Sequence, residues 1–406
     1  MRKRDKLTLS ALCAGHFVND SYSSIIFPLL PLLKDNLHLS SGQVFWLAPL
    51  YAISSSLMQP VYGIISDRYA RRSFAVFGPA ITGVFISMIG LAPSYGVLLA
   101  ILIAGGIGIG SFHPQAAAMA SVSSGERRRV GLAVFSAMGS IGYSIGPIGI
   151  AFFITLFGLG RTYYAAAIGL LTSAVLYVIC PPLPAHERHQ RDATGALRLK
   201  PNLAASFWPV WKPLLCLYII TVIRSGMQMT TNNYLPFLLG ERGYQVTGAG
   251  GGLTVFLLLG GIGGLAGGFL AERMSGRAVT LYSGLLSGPL MMAAFLTSGP
   301  LSFAFLGLGG FALLSTIPVN VAMAQELVPG ETSTVSALMM GAAWGIGALS
   351  PALLDNLVPA FGFRNVMVIA SGATMLSTIF AYMLPREETR IVSPVHTELA
   401  PAAAGD

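Results

Sequence analysis

Apolar runs of about 20 residues, the length that crosses the hydrocarbon core of a bilayer, recur along the whole chain, separated by short polar breaks. Twelve can be placed, at approximately 7–33, 43–66, 73–92, 95–121, 130–157, 161–181, 209–239, 249–271, 278–297, 300–326, 333–357 and 363–384. The pattern predicts an all-α membrane protein with twelve transmembrane helices. Composition agrees, since charged residues are 10% of the chain against roughly 25% in soluble domains.

The net charge of +8 would suggest a nucleic-acid partner if the positive residues were clustered at random. They are not. Of 24 Lys and Arg, nineteen fall at the N-terminus, in the even-numbered loops and at the C-terminus. Four (Lys34, Arg161, Arg242 and Arg364) lie on the opposite side, and Arg224 lies within a span. Positive residues stay cytoplasmic, so both termini are expected inside, with the lipid bilayer and no nucleic acid as partner. The opening MRKRDK and its apolar run exceed a signal-peptide core, contain Asp20 and lack a small-residue cleavage site. That segment reads as an uncleaved first span. Cys13, Cys180 and Cys216 fit neither a disulfide framework nor a metal site and read as small buried hydrophobes. No metal and no cofactor are expected.

One long polar connection, 182–208, divides the spans six and six, which invites a search for duplication. An offset of 205 residues places Pro31 on Pro236, Asp67-Arg68 on Glu272-Arg273, and Arg72 on Arg277. After one deleted residue the offset becomes 204 and aligns Pro114 with Pro318 and Pro147 with Pro351. The chain therefore divides into a six-helix bundle at 1–181, a cytoplasmic linker at 182–208, a second bundle at 209–384 and a disordered tail at 385–406. The two bundles are expected to be pseudo-symmetric.

The loop after span 2, GIISDRYARRS, resembles the Gly-x-x-x-Asp-Arg-x-Gly-Arg-Lys/Arg motif of the major facilitator superfamily, with Ala70 where Gly is usual. GFLAERMSGRA after span 8 is a degraded second copy. The resemblance implies the major facilitator fold and a cytoplasmic gate built from Asp67, Arg68, Arg71, Arg72, Glu272 and Arg273. Glu326 joins that gate by resemblance alone. In span 5, GSIGYSIGPIG resembles the Gly-x-x-x-Gly-Pro-x-x-Gly pattern of drug–proton antiporters, carried here by Gly142, Gly146 and Pro147. Ordinary helix packing produces similar glycines. HFVND, SFHPQAA and AQELVPGETSTVSAL resemble the fosmidomycin-resistance branch of these exporters. That branch usually has Glu after FHP, whereas this chain has Gln115, which leaves the proton-handling role of that position open.

A carboxylate deep in a span must face water, find a partner or be protonated. Asp20 lies roughly 20 Å into span 1 at about 1.5 Å per residue. His16 is four residues before it on the same helix face, and Asn19 is adjacent. Arg224 corresponds to Asn19 under the 205-residue offset, so it is expected at the same depth, across a central cavity, as the counter-charge of Asp20 or as a receptor for an anion. His113 either relays protons or bonds carbonyls freed by Pro114. Tyr51, Gln59, Gln115, Gln228, Asn232 and Asn233 are candidate cavity residues, and Pro28 and Pro31 are expected to break span 1.

These residues point to a proton-coupled exporter, a monomer that alternates access to a midplane site and takes a small drug-like or anionic compound. The resemblance implies a phosphonate such as fosmidomycin. Proton-coupled import of an organic anion or sugar is the rival within transport. A His/Asp membrane enzyme and a transport-inactive sensor are the rivals outside it.

Overall fold

A computed structural model describes residues 3–68, 72–125, 128–180, 207–328 and 335–386. Arg71, nearly all of the expected linker and nearly all of the expected tail lie outside the described residues, as do the side chains of Asp67 and Arg68. The described residues form helices joined by short turns, with no strand among them.

The first six spans run as Lys3–Ser24 continued by Ile26–Asn36, Ser41–Ala52 continued to Arg68, Ser73–Ser87, Tyr95–Ser123, Arg128–Phe157, and Leu159–Ala165 continued by Ala166–Ile179. The second six run as Trp211–Glu241, Val246–Met274, Gly276–Leu296, Gly299–Leu314 continued by Ile317–Leu327, Ala337–Ala342 continued to Leu354, and Val358–Met383. Nine helical segments among the described residues are long and apolar enough to cross a membrane. The last of these, Leu338–Met383, is 46 residues long and holds two crossings. Spans 1 and 2 complete the twelve; they fall short on apolarity because they carry the polar residues discussed below.

Local chemistry explains the breaks. Pro28 lacks the N–H that would bond the Ser24 carbonyl, and span 1 pauses at Ile25, as the twin prolines predicted. Span 2 starts on a capping box, with Ser40 Oγ accepting from the Gln43 N–H and Gln43 Oε1 accepting from the Ser40 N–H. It then loosens into a π-helical turn at Ile53–Leu57, and span 11 carries a second at Ala337–Ala342 that packs against the first. Gly158 (φ 82°, ψ 161°) turns the chain into span 6 and Gly362 (φ 73°, ψ 162°) turns it into span 12. They are 204 residues apart, so the repeat extends to a backbone conformation that is essentially restricted to glycine. Beyond the adjoining backbone, no atom lies within 4 Å of a Cβ added at either position. Gly158→Ala and Gly362→Ala should therefore each cost about 1–3 kcal/mol from backbone strain alone, measured as a fall in thermal unfolding temperature in detergent.

Packing follows the repeat. Span 1 lies on span 5 as span 7 lies on span 11; span 3 joins spans 4 and 6 as span 9 joins spans 10 and 12. The halves meet where span 5 packs on span 8 and span 2 on span 11. The buried apolar residues are arranged unequally. One large cluster takes in the ends of odd spans and starts of even spans from both halves, including Leu30, Phe45, Tyr234, Leu239 and Phe363. At the opposite end, where the chain begins, each half has its own separate cluster. Among the described residues the two halves thus share one core at one end and keep separate cores at the other, where a cleft lies between the bundles. Peripheral residues such as Leu171 and Phe269 are exposed and form the apolar surface that a bilayer requires.

Candidate functional site

At the apex of the cleft, between the shared core and the separate ones, three polar side chains converge. Span 1 supplies His16 and Asp20 and span 4 supplies His113. Asp20 Oδ2 lies 3.2 Å from His16 Nε2, and Asp20 Oδ1 lies 3.0 Å from His113 Nε2. Each imidazole is held from behind. His16 Nδ1 is 2.7 Å from the Phe135 carbonyl and His113 Nδ1 is 2.7 Å from the Ile109 carbonyl. A carbonyl only accepts, so both Nδ1 atoms carry hydrogen and both Nε2 atoms present their exchangeable position to the carboxylate. His16 is further fixed by stacking on Phe135 at 4.1 Å. Glycine at 139 is required for this approach, since a Cβ there would lie 2.4 Å from His16 Nε2 and 2.8 Å from Asp20 Oδ2.

His113 Nε2 faces Asp20, while its Nδ1 bonds the Ile109 carbonyl, one residue before the carbonyl that Pro114 frees. The expected pairing of Asp20 with Arg224 is corrected. Arg224 turns into its own half, where Nη1 donates to Ser283 Oγ (2.6 Å) and the Leu313 carbonyl (3.1 Å), and Nη2 donates to the Thr280 carbonyl (3.3 Å). The repeat explains why: Asn19, its counterpart, likewise turns toward the third span of its half, where its Oδ1 accepts from Thr82 Oγ1 at 3.0 Å. Asn19 is fully buried there and does not line the cleft as expected.

Arg224 lines a small pocket with Thr221, Ser225, Gln228, Asn320 and Trp344. Three of its five N–H groups are used, and its Nε, the Gln228 Oε1 and the Thr316 Oγ1 have no hydrogen-bond partner. No carboxylate pairs with this guanidinium among the described residues. Asn232 reaches across the halves and donates from Nδ2 to Tyr143 Oη at 3.2 Å. Tyr143, inside the span 5 motif, was missed by sequence reasoning, which read that stretch through its glycines. Asn233 folds back onto the Met229 carbonyl. Tyr51 and Gln115 are buried and Gln59 is half-buried.

The span 5 motif packs helices tightly. A Cβ at Gly142 would lie 2.1 Å from the Phe17 carbonyl oxygen, and one at Gly146 would lie 2.3 Å from that of Ser21. On the other face the Pro147 carbonyl abuts Gly250 of span 8. Span 5 thereby links the Asp20-bearing helix to the opposite half.

Arg72 stacks over the Tyr177 ring at 4.9 Å and donates to the Tyr177 carbonyl, tying span 3 to span 6 within one half. Arg277 repeats this on Tyr382, at 5.4 Å from the ring and 2.7 Å from the carbonyl. Both pairs obey the 205-residue offset, and neither bridges the halves. Glu272, Arg273 and Glu326 are exposed near span ends. At the sealed end, Phe45 contacts Tyr234 (4.6 Å), Phe237 (5.5 Å) and Phe363 (6.1 Å) across the halves. Each ring pair is worth about 0.5–1.5 kcal/mol, so Phe45→Ala should weaken the seal by about 2–4 kcal/mol. Spin labels at Asp35 and Glu241 should then show a longer distance population that the unsubstituted seal lacks.

The comparisons agree with this architecture. The family model described as Major Facilitator Superfamily matches residues 12–251 and 217–405. The chain is 28% identical over 393 residues to the uncharacterized MFS-type transporter YfnC of Bacillus subtilis (strain 168), covering 94% of this chain and 93% of that protein. It is 27% identical over 380 residues to the fosmidomycin resistance protein of Escherichia coli (strain K12), covering 92% of each. A crystal structure of a bacterial homolog of the human lysosomal transporter Spinster superposes with a TM-score of 0.80 at 17% identity, covering 95% of this chain and 97% of the other. Duplicated bundles, a cleft between them and a family match across both halves lead to one assignment: the chain belongs to the major facilitator superfamily and is a transporter, not an enzyme.

Proposed function

We propose that this transporter is a proton-coupled exporter of small organic anions, fosmidomycin-like compounds among them, in a bacterial inner membrane with both termini cytoplasmic. In this reading the bundles at 1–181 and 209–384 rock about the midplane, joined by the 182–208 linker. The observation that carries it is the division of labour across the cleft. One half holds a carboxylate between two imidazoles with exchangeable positions facing it, and the other holds a buried guanidinium with an unused N–H and no carboxylate partner. The first is suited to protons and the second to an acidic substrate. With cytoplasmic termini, the open end of the cleft faces the cytoplasm, where a substrate for export loads.

The cycle follows from charge. An anion entering the cleft docks on Arg224, while protons on the triad arrive from the outside-open form and leave to the cytoplasm. Export of the anion then exchanges with inward proton movement. The seal at Phe45 and the Asn232–Tyr143 bond must break for the outer end to open, which connects the substrate half to the helix packed on Asp20. Resemblance to the fosmidomycin resistance protein adds a candidate compound. The test is expression in a fosmidomycin-sensitive strain lacking its own exporter. The reading expects raised tolerance that a protonophore abolishes, and unchanged tolerance with this compound and with a panel of other organic anions would reject it.

A further inference from the structure

Asp20 Oδ1 is buried and no N–H is aligned on it, although His113 Nε2 lies 3.0 Å away. The His16 contact to Oδ2 is similar in length at 3.2 Å. With each Nδ1 committed to a carbonyl, two imidazole Nε2 atoms and a carboxylate present electron pairs to one space, and one ligand atom from each residue lies within 4.8 Å of the others. An ion about 2.1 Å from both members of such a contact subtends an angle of about 95° and sits off the N···O line.

We propose that His16, Asp20 and His113 bind one divalent transition-metal ion of the zinc or cobalt class, which displaces protons and blocks transport. The proposal rests on the reading of this triad as a cation site open to the cleft. Two imidazoles and one carboxylate form a donor set suited to these metals. The carbonyls of Phe135 and Ile109 supply the outer contacts that orient metal-binding histidines. Access is provided by the cleft, since the His113 and Asp20 side chains are 24% and 16% exposed. The third ligand comes from span 4, which is why spacing along span 1 gave no sign of a metal site.

Detergent-purified full-length protein, carrying an affinity tag free of histidine, would be titrated with cobalt(II) and followed by its visible d–d absorption. The chain has 6 histidines, so the informative quantity is the difference between the wild type and His113→Gln. The wild type should bind one additional cobalt with a visible band that zinc displaces. His113→Gln should weaken that binding by at least about tenfold. Gly139→Ala should do the same without removing a ligand, because its methyl displaces two ligand atoms. Monodispersity and thermal unfolding establish that each variant is folded. Identical cobalt spectra and affinities for the wild type and His113→Gln would overturn the proposal. Failure here is separable from failure of the transport reading. If no cobalt binds while Asp20→Asn still abolishes proton flux, the metal site alone falls. If cobalt binds while Asp20→Asn leaves flux intact, the metal site stands and the coupling role falls.

Discussion

Asp20→Asn should abolish proton-driven transport while leaving the protein folded and able to exchange labelled for unlabelled substrate without a gradient. Asparagine matches aspartate in size, so the fit against Gly139 and the two imidazoles is kept. What it removes is the negative charge held between the two imidazoles. Without that charge the triad cannot load and release protons in step with the cycle, and driven flux should fall to the leak of empty vesicles. Exchange needs the substrate site and the rocking motion, both of which remain. A structural ion pair would behave oppositely: its loss would lower the unfolding temperature and reduce exchange and driven flux together. Measuring both fluxes in the same proteoliposomes separates the two cases.

Arg224→Lys should weaken binding of an anionic substrate by about 10- to 150-fold, because a charge-assisted hydrogen bond contributes about 1.5–3 kcal/mol. Lysine keeps the positive charge but not the planar fork that bonds a carboxylate or phosphonate while holding the Thr280 and Leu313 carbonyls. The loss should appear as a raised KM for driven transport, with the maximal rate much less affected. A neutral substrate analogue should bind the variant and the wild type alike. Equal losses for charged and neutral compounds would instead indicate that Arg224 serves the packing of spans 7, 9 and 10.

Hydrophobic patterning made the spans legible because each crossing demands about 20 apolar residues, and the observed helices follow those segments closely. The repeat was legible in prolines and charges, and it extends to features no motif announces, such as Gly158 with Gly362 and Tyr177 with Tyr382. The site was legible in its residue types more than in its pairings. Depth follows from counting along a helix, so the offset put Arg224 level with Asn19. The direction of a side chain depends on which helices pack beside it, and there both residues turned inward to spans 9 and 3. A guanidinium in a low-dielectric interior goes where several acceptors already stand, and Ser283, Thr280 and Leu313 supply them. His113 reached Asp20 because span 4 packs on span 1, a neighbour relation no local spacing encodes. Tyr143 and Phe45 were passed over because an aromatic in a lipid-facing chain reads the same as one at an interface between halves.

Exchange of substrate for protons through this chain is measured most directly as proton movement evoked by substrate. Inside-out vesicles with an acidic lumen would carry a ΔpH-sensitive dye, and fosmidomycin or another organic anion that the chain protects against would be added. Substrate should discharge the gradient in wild-type vesicles and not in Asp20→Asn vesicles. Substrate uptake by the wild type with no accompanying proton movement would contradict it.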